Sequence, residues 1–245
     1  MEKISIIIIT FNEEENIERC LKSVAWADEI VVIDSFSQDR TVEICRQFTD
    51  RVFTHEWLGF GKQKNLAAEK ASHRWVMNLD ADEVLSEECS AAIRKELIEG
   101  PGHVVYRFPR KNFIGGRWVR FGGWYPDWIY RFYDKTRVSF SESVVHEKLT
   151  PVSRAGSIHV PIEHYSYDDF EDYVIRQNKY SSLFARGKTG RGQVTRLRDI
   201  IFRPAFAFFR TYFLQQGFRE GQLGLYLSVT AAFYTFLKYA KTRSF

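Results

Sequence analysis

The feature that most constrains the fold is a run of mostly β-branched residues, ISIIIIT, at positions 4–10. A strand that is apolar on both faces is typical of a parallel sheet covered by helices on both sides. The run continues into Thr10-Phe11-Asn12-Glu13, after which apolar residues recur at helical spacing up to Val24. Asn12 is the predicted N-cap of this helix, and Glu13 suits the positive end of its dipole.

Strands and helices continue to alternate through the first hundred residues. The predicted strands after the first one are 29–33, a short segment at Val52 and Phe53, and 75–79; the predicted helices carry Val42, Cys45 and Phe48, and then span 61–71. This alternation predicts an α/β fold with a doubly wound, mostly parallel sheet. Ligands of such sheets bind beyond the carboxyl ends of the strands.

Polar residues follow three of these predicted strands and are expected to face one crevice. They are Thr10, Asn12 and Glu13 after the first strand, Asp34 and Asp39 after the second, and Asp80, Asp82 and Glu83 after the strand 75–79. Three carboxylates in four residues repel one another and lose hydration at a sheet edge. Mg²⁺ or Mn²⁺ would resolve that conflict, because hard cations prefer oxygen ligands and keep positions open for phosphate oxygens.

Missing motifs and composition narrow the class of protein. The chain has no G-x-G-x-x-G after its first strand and no G-x-x-x-x-G-K-[ST], which argues against a nicotinamide site and a P-loop. Three scattered cysteines indicate a reducing compartment without a disulfide framework or a zinc site, and no signal peptide is predicted. The basic region carries no nucleic-acid recognition motif, so nucleic acid is not an expected partner.

Four segments, in this order and spacing, resemble a family 2 glycosyltransferase of the GT-A fold. They are ISIIIITFNEEENI, EIVVIDSFSQDRTVEI, GKQKNLAAEKA and WVMNLDADEVL, and they cover about the first hundred residues. The resemblance implies a nucleotide-sugar donor, a UDP-sugar, held by Thr10, Asn12, Glu13, Asp34, Asp39, Lys64 and Asp80. It also implies that Asp82 ligates a divalent cation. Asp34 would contact the base and Asp80 would approach the ribose.

The following segment, 101–186, is the predicted acceptor half of a domain spanning 1–186. After a predicted strand at 103–108, it contains Gly115-Gly116, Gly122-Gly123 and three tryptophans, at 118, 124 and 128, which suit either sugar rings or a core. An inverting transfer needs a base for the acceptor hydroxyl. In the fold this chain resembles, the base lies between a glycine-rich loop and a metal-binding histidine, which favours Glu147, then Asp127, as the base. His164 is favoured over His159 as the metal neighbour. The chain departs from the usual pattern of this family at His146-Glu147, where many relatives have a Glu-Asp pair.

The C-terminal part of the chain is predicted to be helical and basic. Residues 168–186 have a helical pattern, 187–193 read as a linker, and 194–245 form an aromatic-rich tail. Residues 176–245 contain 13 Lys or Arg against Asp199 and Glu220, and the first 175 residues have a net charge of −7. The apolar segments 200–213 and 223–237 are too short or interrupted to span a bilayer, so two helices in an anionic membrane interface, or packed against the protein, are predicted.

This tail is similar to that of lipopolysaccharide inner-core glucosyltransferases, which implies a lipid-linked glycan acceptor and a peripheral location at the cytoplasmic face of a bacterial inner membrane. The expected reaction is transfer of a hexose, such as glucose. Alternative acceptors are a polyprenyl phosphate and a peptide side chain. Competing classes are a non-catalytic membrane adaptor and a haloacid-dehalogenase-type phosphatase, whose motif normally lies on the first strand. A sugar nucleotidyltransferase would need a glycine-rich, arginine-containing opening loop, which the chain lacks.

Overall fold

The computed structural model describes residues 2–141, 148–150, 154–189 and 196–242. These residues fall into two compact units, one made of 1–110 and 128–164 and the other of 111–127 and 165–245. The predicted division at residue 187 therefore differs from the boundary of the units. The predicted linker also begins inside a helix, Phe170–Thr189, while 190–195 lie outside the described residues.

The first unit is an α/β arrangement built on a mixed sheet. The strands and helices up to residue 167 are β1 (Ile4–Thr10), α1 (Ile17–Ser23), β2 (Glu29–Asp34), α2 (Thr41–Cys45), β3 (Val52–Thr54), α3 (Phe60–Lys70), β4 (Trp75–Asp80), β5 (Glu83–Leu85), α4 (Glu87–Glu99), β6 (Val105–Ile114), β7 (Arg117–Trp118), β8 (Asp127–Asp134), β9 (Ser139–Phe140), β10 (Leu149–Thr150), β11 (Gly156–Ser157) and β12 (Ile162–Tyr167). Of these, β7 lies wholly in the second unit, and β6, β8 and β12 each have residues in both units. Strands β9 and β10 form a separate hairpin.

The order of strands in the large sheet is β3-β2-β1-β4-β8-β6-β12-β5. Strands β3, β2, β1 and β4 pair in parallel, as the sequence predicts, whereas β8 is antiparallel to β4 and β12 is antiparallel to β5. The register matters for function, because Thr10 lies opposite Asp34 and Ile9 lies opposite Asp80. The polar ends of β1, β2 and β4 therefore meet at one edge, where parallel strands place ligands.

Burial on both faces of β1 explains its composition. All seven residues of the strand are buried, and alternate isoleucines point into two different hydrophobic clusters, one on each side of the sheet. One cluster includes α1 and α4, and the other includes α3. The strand predicted at 29–33 extends to Asp34, and the strand predicted at 103–108 corresponds to the longer β6.

Asn12 does not cap the first helix, contrary to prediction. The N-cap position is Asn16, and Asn12 has a left-handed φ of 53°, a conformation that asparagine tolerates better than most residues. Its side-chain oxygen accepts a hydrogen bond from the Gln38 N–H at 2.8 Å, and its own N–H donates to Ser37 Oγ at 2.9 Å. Asn12 therefore ties the loop after β1 to the loop after β2.

The described residues of the second unit form three α-helices, α5 (Phe170–Thr189), α6 (Leu197–Phe209) and α7 (Gln222–Ala240), with a π-helical turn Arg210–Leu214 and a 3₁₀ turn Gly217–Glu220 between the last two. Helix α6 continues through Pro204. Close packing of α7 depends on Gly224, because a Cβ there would lie 1.8 Å from the carbonyl oxygen of Gly217. No helix among the described residues is both long enough and apolar enough to cross a membrane.

Buried Glu220, at the end of the 3₁₀ turn, bonds this turn to the glycine-rich segment 115–123 of the same unit. Its carboxylate accepts the backbone N–H groups of Arg120 and Phe121 at 2.8 and 2.9 Å and pairs with Arg117 at 3.2 Å. Trp124 packs against Tyr167 and Tyr173 in the small hydrophobic cluster of this unit. Of the two roles predicted for the tryptophans, the ring of Trp124 therefore has that of a core residue.

Candidate active site

The loops beyond β1 and β2 form one hydrogen-bonded wall of the candidate site. Asp34 is 1% exposed, and its two oxygens accept hydrogen bonds from the Ser37 hydroxyl and N–H at 2.5 and 2.9 Å. Asp39 accepts the N–H groups of Thr41 and Glu14 at 3.0 and 3.1 Å. Desolvation works to raise the pKa of Asp39, but these hydrogen bonds lower it overall. Asp39 thus fixes the shape of the loop, and its predicted part in holding the nucleotide stays a prediction.

Thr10 is the group in this wall that a ligand would satisfy. Its side chain is buried, and its hydroxyl has no hydrogen-bond partner among the described residues. A buried hydroxyl without a partner costs free energy, so a bound molecule that offers a donor or acceptor at this position is stabilised. Glu13, half-buried beside it, accepts a hydrogen bond from Asn16 at 3.0 Å, and its N–H donates to Thr41.

Four exposed aromatic residues follow strands at the same edge of the sheet, and none of them is among the site residues predicted from the sequence. Phe11, Phe36, Trp57 and Phe60 are each about half exposed, and they follow β1, β2 and β3. Phe36 has a left-handed φ of 63°, a strained conformation for a bulky residue of the kind that collects at functional sites. Fully buried Gln63 holds two of these loops together, because it bonds both Ser35 Oγ and the Leu58 N–H. The rings offer flat apolar surfaces beside the polar wall.

The acidic motif at the end of β4 is held by basic side chains. Lys64, 4% exposed, lies 3.3 Å from Asp80 Oδ1, and Arg131 on β8 lies 2.5 Å from Asp80 Oδ2. Burial alone would raise the pKa of Asp80, but the charges of Arg131 and Lys64 outweigh it and hold that pKa well below its ordinary range. The carboxylate is therefore ionised at neutral pH.

Glu83 does not extend the acidic motif toward a ligand. It is fully buried, its Oε1 lies 2.6 Å from Arg131 and 3.4 Å from Arg110, and its Oε2 accepts the Asp80 N–H at 3.2 Å. The expectation that a cation relieves the repulsion among three carboxylates is thus wrong for two of them, since arginine and lysine already do so. Arg131 is the main site residue that sequence reasoning missed.

Asp82 lies apart from this network and beside His164. The distance from His164 Nε2 to Asp82 Oδ2 is 3.1 Å, whereas His159 packs edge-on against Trp128 at 5.4 Å. Within the part of the chain that the structure describes, no three His, Cys, Asp or Glu side chains are arranged to hold a metal ion. A carboxylate and an imidazole nevertheless fit a cation such as Mn²⁺ whose remaining ligands come from phosphate oxygens and water.

The two candidate bases stand differently. Asp127 is the half-buried first residue of β8 and belongs to the second unit, whereas the other site residues described above belong to the first. Glu147 lies outside the described residues, as does His146. The hairpin of β9 and β10, whose strands flank 142–147 in the sequence, is bonded to helix α3, which carries Lys64. The side-chain amide of Asn65 donates a hydrogen bond to the Phe140 carbonyl oxygen and accepts one from the Phe140 N–H, both at 2.9 Å.

The site shares its elements with an established family of enzymes. The model of the family described as "Glycosyl transferase family 2" matches residues 5–167. The chain is 32% identical to an uncharacterized glycosyltransferase of Rickettsia felis over 255 residues, covering 99% of this chain and 90% of that protein. The chain therefore belongs to glycosyl transferase family 2, and its mixed α/β sheet is that of the GT-A fold, as predicted.

Among its relatives, the chain is similar to the lipopolysaccharide core biosynthesis glycosyltransferase LpsC of Rhizobium meliloti, with 29% identity over 97% of this chain and 91% of that protein. An uncharacterized glycosyltransferase of Rickettsia conorii is 31% identical over 99% of this chain and 90% of its own length. A solved structure with partial likeness is Staphylococcus aureus TarS with UDP-GlcNAc, at 17% identity and a TM-score of 0.47, covering 74% of this chain and 66% of that one. Likeness at that level carries no information on ligands.

The lowered pKa of Asp80 gives a stability prediction with a definite sign. A carboxyl whose pKa is lower in the folded state stabilises the fold above its unfolded pKa of about 3.9 and loses that contribution as the pH falls. We expect Asp80→Asn to lower the free energy of unfolding at pH 7 by about 1–3 kcal/mol, less than a fully buried pair because Asp80 is partly exposed. The difference between the free energies of unfolding of wild type and Asp80→Asn should stay constant from pH 7 to 5 and become smaller below about pH 4.

Urea unfolding at several pH values measures this, with the exposed Asp50→Asn as control. Equal stability of wild type and Asp80→Asn at pH 7 would contradict the ion-pair assignment, as would a difference that widens in acid.

Proposed function

We propose that this protein is an inverting, divalent-cation-dependent hexosyltransferase that transfers glucose from UDP-glucose to a lipid-linked acceptor such as the lipopolysaccharide inner core. The observation that carries the proposal is the edge at which Thr10, Asp34 and the Asp80–Lys64 pair meet, with Asp82 beside His164. In this proposal the edge would hold the base and ribose, the positive charge of Lys64 would lie beside the diphosphate, and the carboxylate and imidazole would hold the cation. The relatedness to a lipopolysaccharide core biosynthesis enzyme supports the choice of acceptor.

Each side chain has a separate part in holding the donor. The Thr10 hydroxyl and the Asp34 carboxylate would recognise the base, with an exposed ring such as Phe11 or Phe36 against its face. Asp80 keeps free lone pairs on both oxygens and is oriented by Lys64 and Arg131, so it can accept a hydrogen bond from a ribose hydroxyl. Lys64 places a positive charge beside the position of the diphosphate.

Asp82 and His164 would hold the cation, which supplies Lewis-acid stabilisation of charge on the departing diphosphate. In the transfer, the acceptor oxygen forms a bond to the anomeric carbon while the bond from that carbon to the diphosphate oxygen breaks. The proton of the acceptor hydroxyl passes to a carboxylate, and UDP leaves from the opposite face. Glu147 is our proposed base, and Asp127 is the alternative.

A donor assay tests the proposed class. Purified protein is titrated with UDP-glucose, UDP-galactose, UDP-GlcNAc and GDP-mannose, with and without Mn²⁺. We expect Mn²⁺-dependent binding and slow hydrolysis of one UDP-hexose, and a loss of hydrolysis of roughly 100-fold or more in Asp82→Ala, because the diphosphate loses its charge stabilisation. Asp50→Ala is the matched control on an exposed aspartate. A folded wild type that binds no donor with Mn²⁺ present would leave the adaptor function instead.

The assignment of the base is tested by paired amide substitutions. Glu147→Gln keeps the size of the side chain but cannot take the proton, so transfer to acceptor should fall by roughly 100- to 10,000-fold while the Kd for donor stays within about twofold. Asp127→Asn should keep most of the activity. The reverse pattern assigns the base to Asp127, and wild-type turnover in both variants rules out both residues.

The C-terminal helices support a membrane-bound acceptor. Phe202, Phe206 and Leu214 are 70%, 59% and 61% exposed, and arginines and lysines lie among such residues. Exposed aromatic side chains with basic neighbours are typical of helices in an anionic membrane interface. We infer that this surface of α6 and the turn after it rests on the cytoplasmic leaflet of the inner membrane.

Point substitutions test this location better than a deletion, because Glu220 holds the tail within its unit. Wild type should co-sediment with vesicles of phosphatidylethanolamine and phosphatidylglycerol more than with phosphatidylcholine vesicles. The double variant Phe202→Ser/Phe206→Ser should lose roughly tenfold or more in vesicle affinity, since two rings no longer leave water. Ile175→Ser, at a 60% exposed position of α5, is the control. Unchanged vesicle binding of the double variant contradicts the proposed surface.

A further inference from the structure

Arg131 places a buried positive charge in the candidate site. Its side chain is 7% exposed, and its terminal nitrogen Nη2 lies 2.5 Å from Asp80 Oδ2 and 2.6 Å from Glu83 Oε1. Burial would lower the pKa of Arg131, but the two carboxylates raise it above its ordinary value. A buried guanidinium between two carboxylates therefore stays charged and fixes both of them.

The four oxygens of Asp80 and Glu83 all have a partner within the first unit. Besides Arg131, Lys64 takes Asp80 Oδ1 at 3.3 Å, Arg110 lies 3.4 Å from Glu83 Oε1, and Glu83 Oε2 accepts the Asp80 N–H. Three cationic groups thus face two carboxylates. The pair presents no net negative charge to an incoming cation, although the sequence places both carboxylates beside Asp82.

Asp82 is the exception in the acidic motif. Among the described residues its carboxylate lies within 3.1 Å of His164 Nε2 and forms no ion pair with a lysine or arginine. A Mg²⁺ or Mn²⁺ ion at this position would find one carboxylate and one imidazole, whereas such ions take about six ligands. The remaining ligands must come from water or from phosphate oxygens of a bound nucleotide.

We propose that Arg131 is a positioning residue that withholds Asp80 and Glu83 from the cation, so that the site binds its cation tightly only together with the nucleotide. This inference rests on the proposed function, since it takes the nucleotide diphosphate as the source of the missing ligands. Without Arg131, only Lys64 and Arg110 would offset the charges of Asp80 and Glu83, so the negative charge beside Asp82 would attract a cation more strongly. The cation would then bind more tightly without a donor, and Asp80 would be less firmly held in the position in which it can meet the ribose.

The test measures Mn²⁺ binding by electron paramagnetic resonance, in the absence of nucleotide and in the presence of saturating UDP. For wild type we expect weak binding of Mn²⁺ alone and at least tenfold tighter binding with UDP. In Arg131→Lys, whose shorter side chain ends before the position that Nη2 holds between the two carboxylates, Mn²⁺ alone should bind roughly tenfold more tightly and the enhancement by UDP should fall by a similar factor. Arg107→Lys on β6, where Arg107 bonds Ser157 and stacks on Trp128, is the matched control.

A second comparison covers the case in which Arg131→Lys does not fold, because removal of Arg131 leaves Glu83 unpaired in the interior. Glu83→Gln is compared with the double variant Glu83→Gln/Arg131→Gln, in which one positive and one negative charge are both absent. Releasing Asp80 in the double variant should tighten nucleotide-free Mn²⁺ binding roughly tenfold relative to Glu83→Gln.

The outcomes separate the two proposals. If wild type binds UDP with Mn²⁺ and the Arg131 variants keep both Mn²⁺ affinities, the role of Arg131 is overturned while the proposed function stands. Tight binding of Mn²⁺ to wild type without UDP also overturns it. If folded wild type binds no UDP under any condition, both proposals fail.

Discussion

The parallel pairing of β1 with β2 on one side and β4 on the other is the constraint on which the candidate site depends. Because the pairing sets Thr10 opposite Asp34 and Ile9 opposite Asp80, loops that are distant in sequence converge at one sheet edge. That pairing is stable only because isoleucines on alternate sides of β1 are buried in two clusters. A shift of one residue would exchange the two faces of the strand. The hydrophobic packing of the sheet therefore also fixes the geometry of the site.

Electrostatics at this edge divide an acidic motif into two parts. Asp80 and Glu83 are neutralised by Arg131, Lys64 and Arg110, whereas Asp82 faces an imidazole. Desolvation of three adjacent carboxylates would be costly without such partners. In the function we propose, Asp80, oriented by its basic partners, would meet the donor, and Asp82, beside the imidazole of His164, would serve the cation. A motif of three acids therefore does not amount to three metal ligands.

The second unit has a different balance of packing and exposure. Gly224 allows α7 to approach the preceding turn closely, and Glu220 fixes that turn to backbone amides of the glycine-rich segment. These contacts give the helices a defined fold although rings such as that of Phe202 remain in water. An exposed apolar face on a well-anchored helical unit fits a surface that meets lipid, because the contact needs no further folding.

The sequence alone determined the elements and the family. Periodicity and β-branched runs are local signals, so β1, β2, β4 and α3 could be predicted with small errors at their ends, and so could the polar residues that follow the strands. Local signals were weaker where backbone conformation depends on distant partners: Asn12 bonds a neighbouring loop instead of capping α1, and the predicted linker is partly helix. Only the tertiary structure decided which carboxylates are neutralised, because Arg131 lies 51 residues from Asp80 and meets it through the antiparallel register of β8 on β4. Pairing between strands brings together side chains whose separation along the chain carries no pattern, and that is the physical reason why sequence reasoning found the acids but not the arginine that holds them.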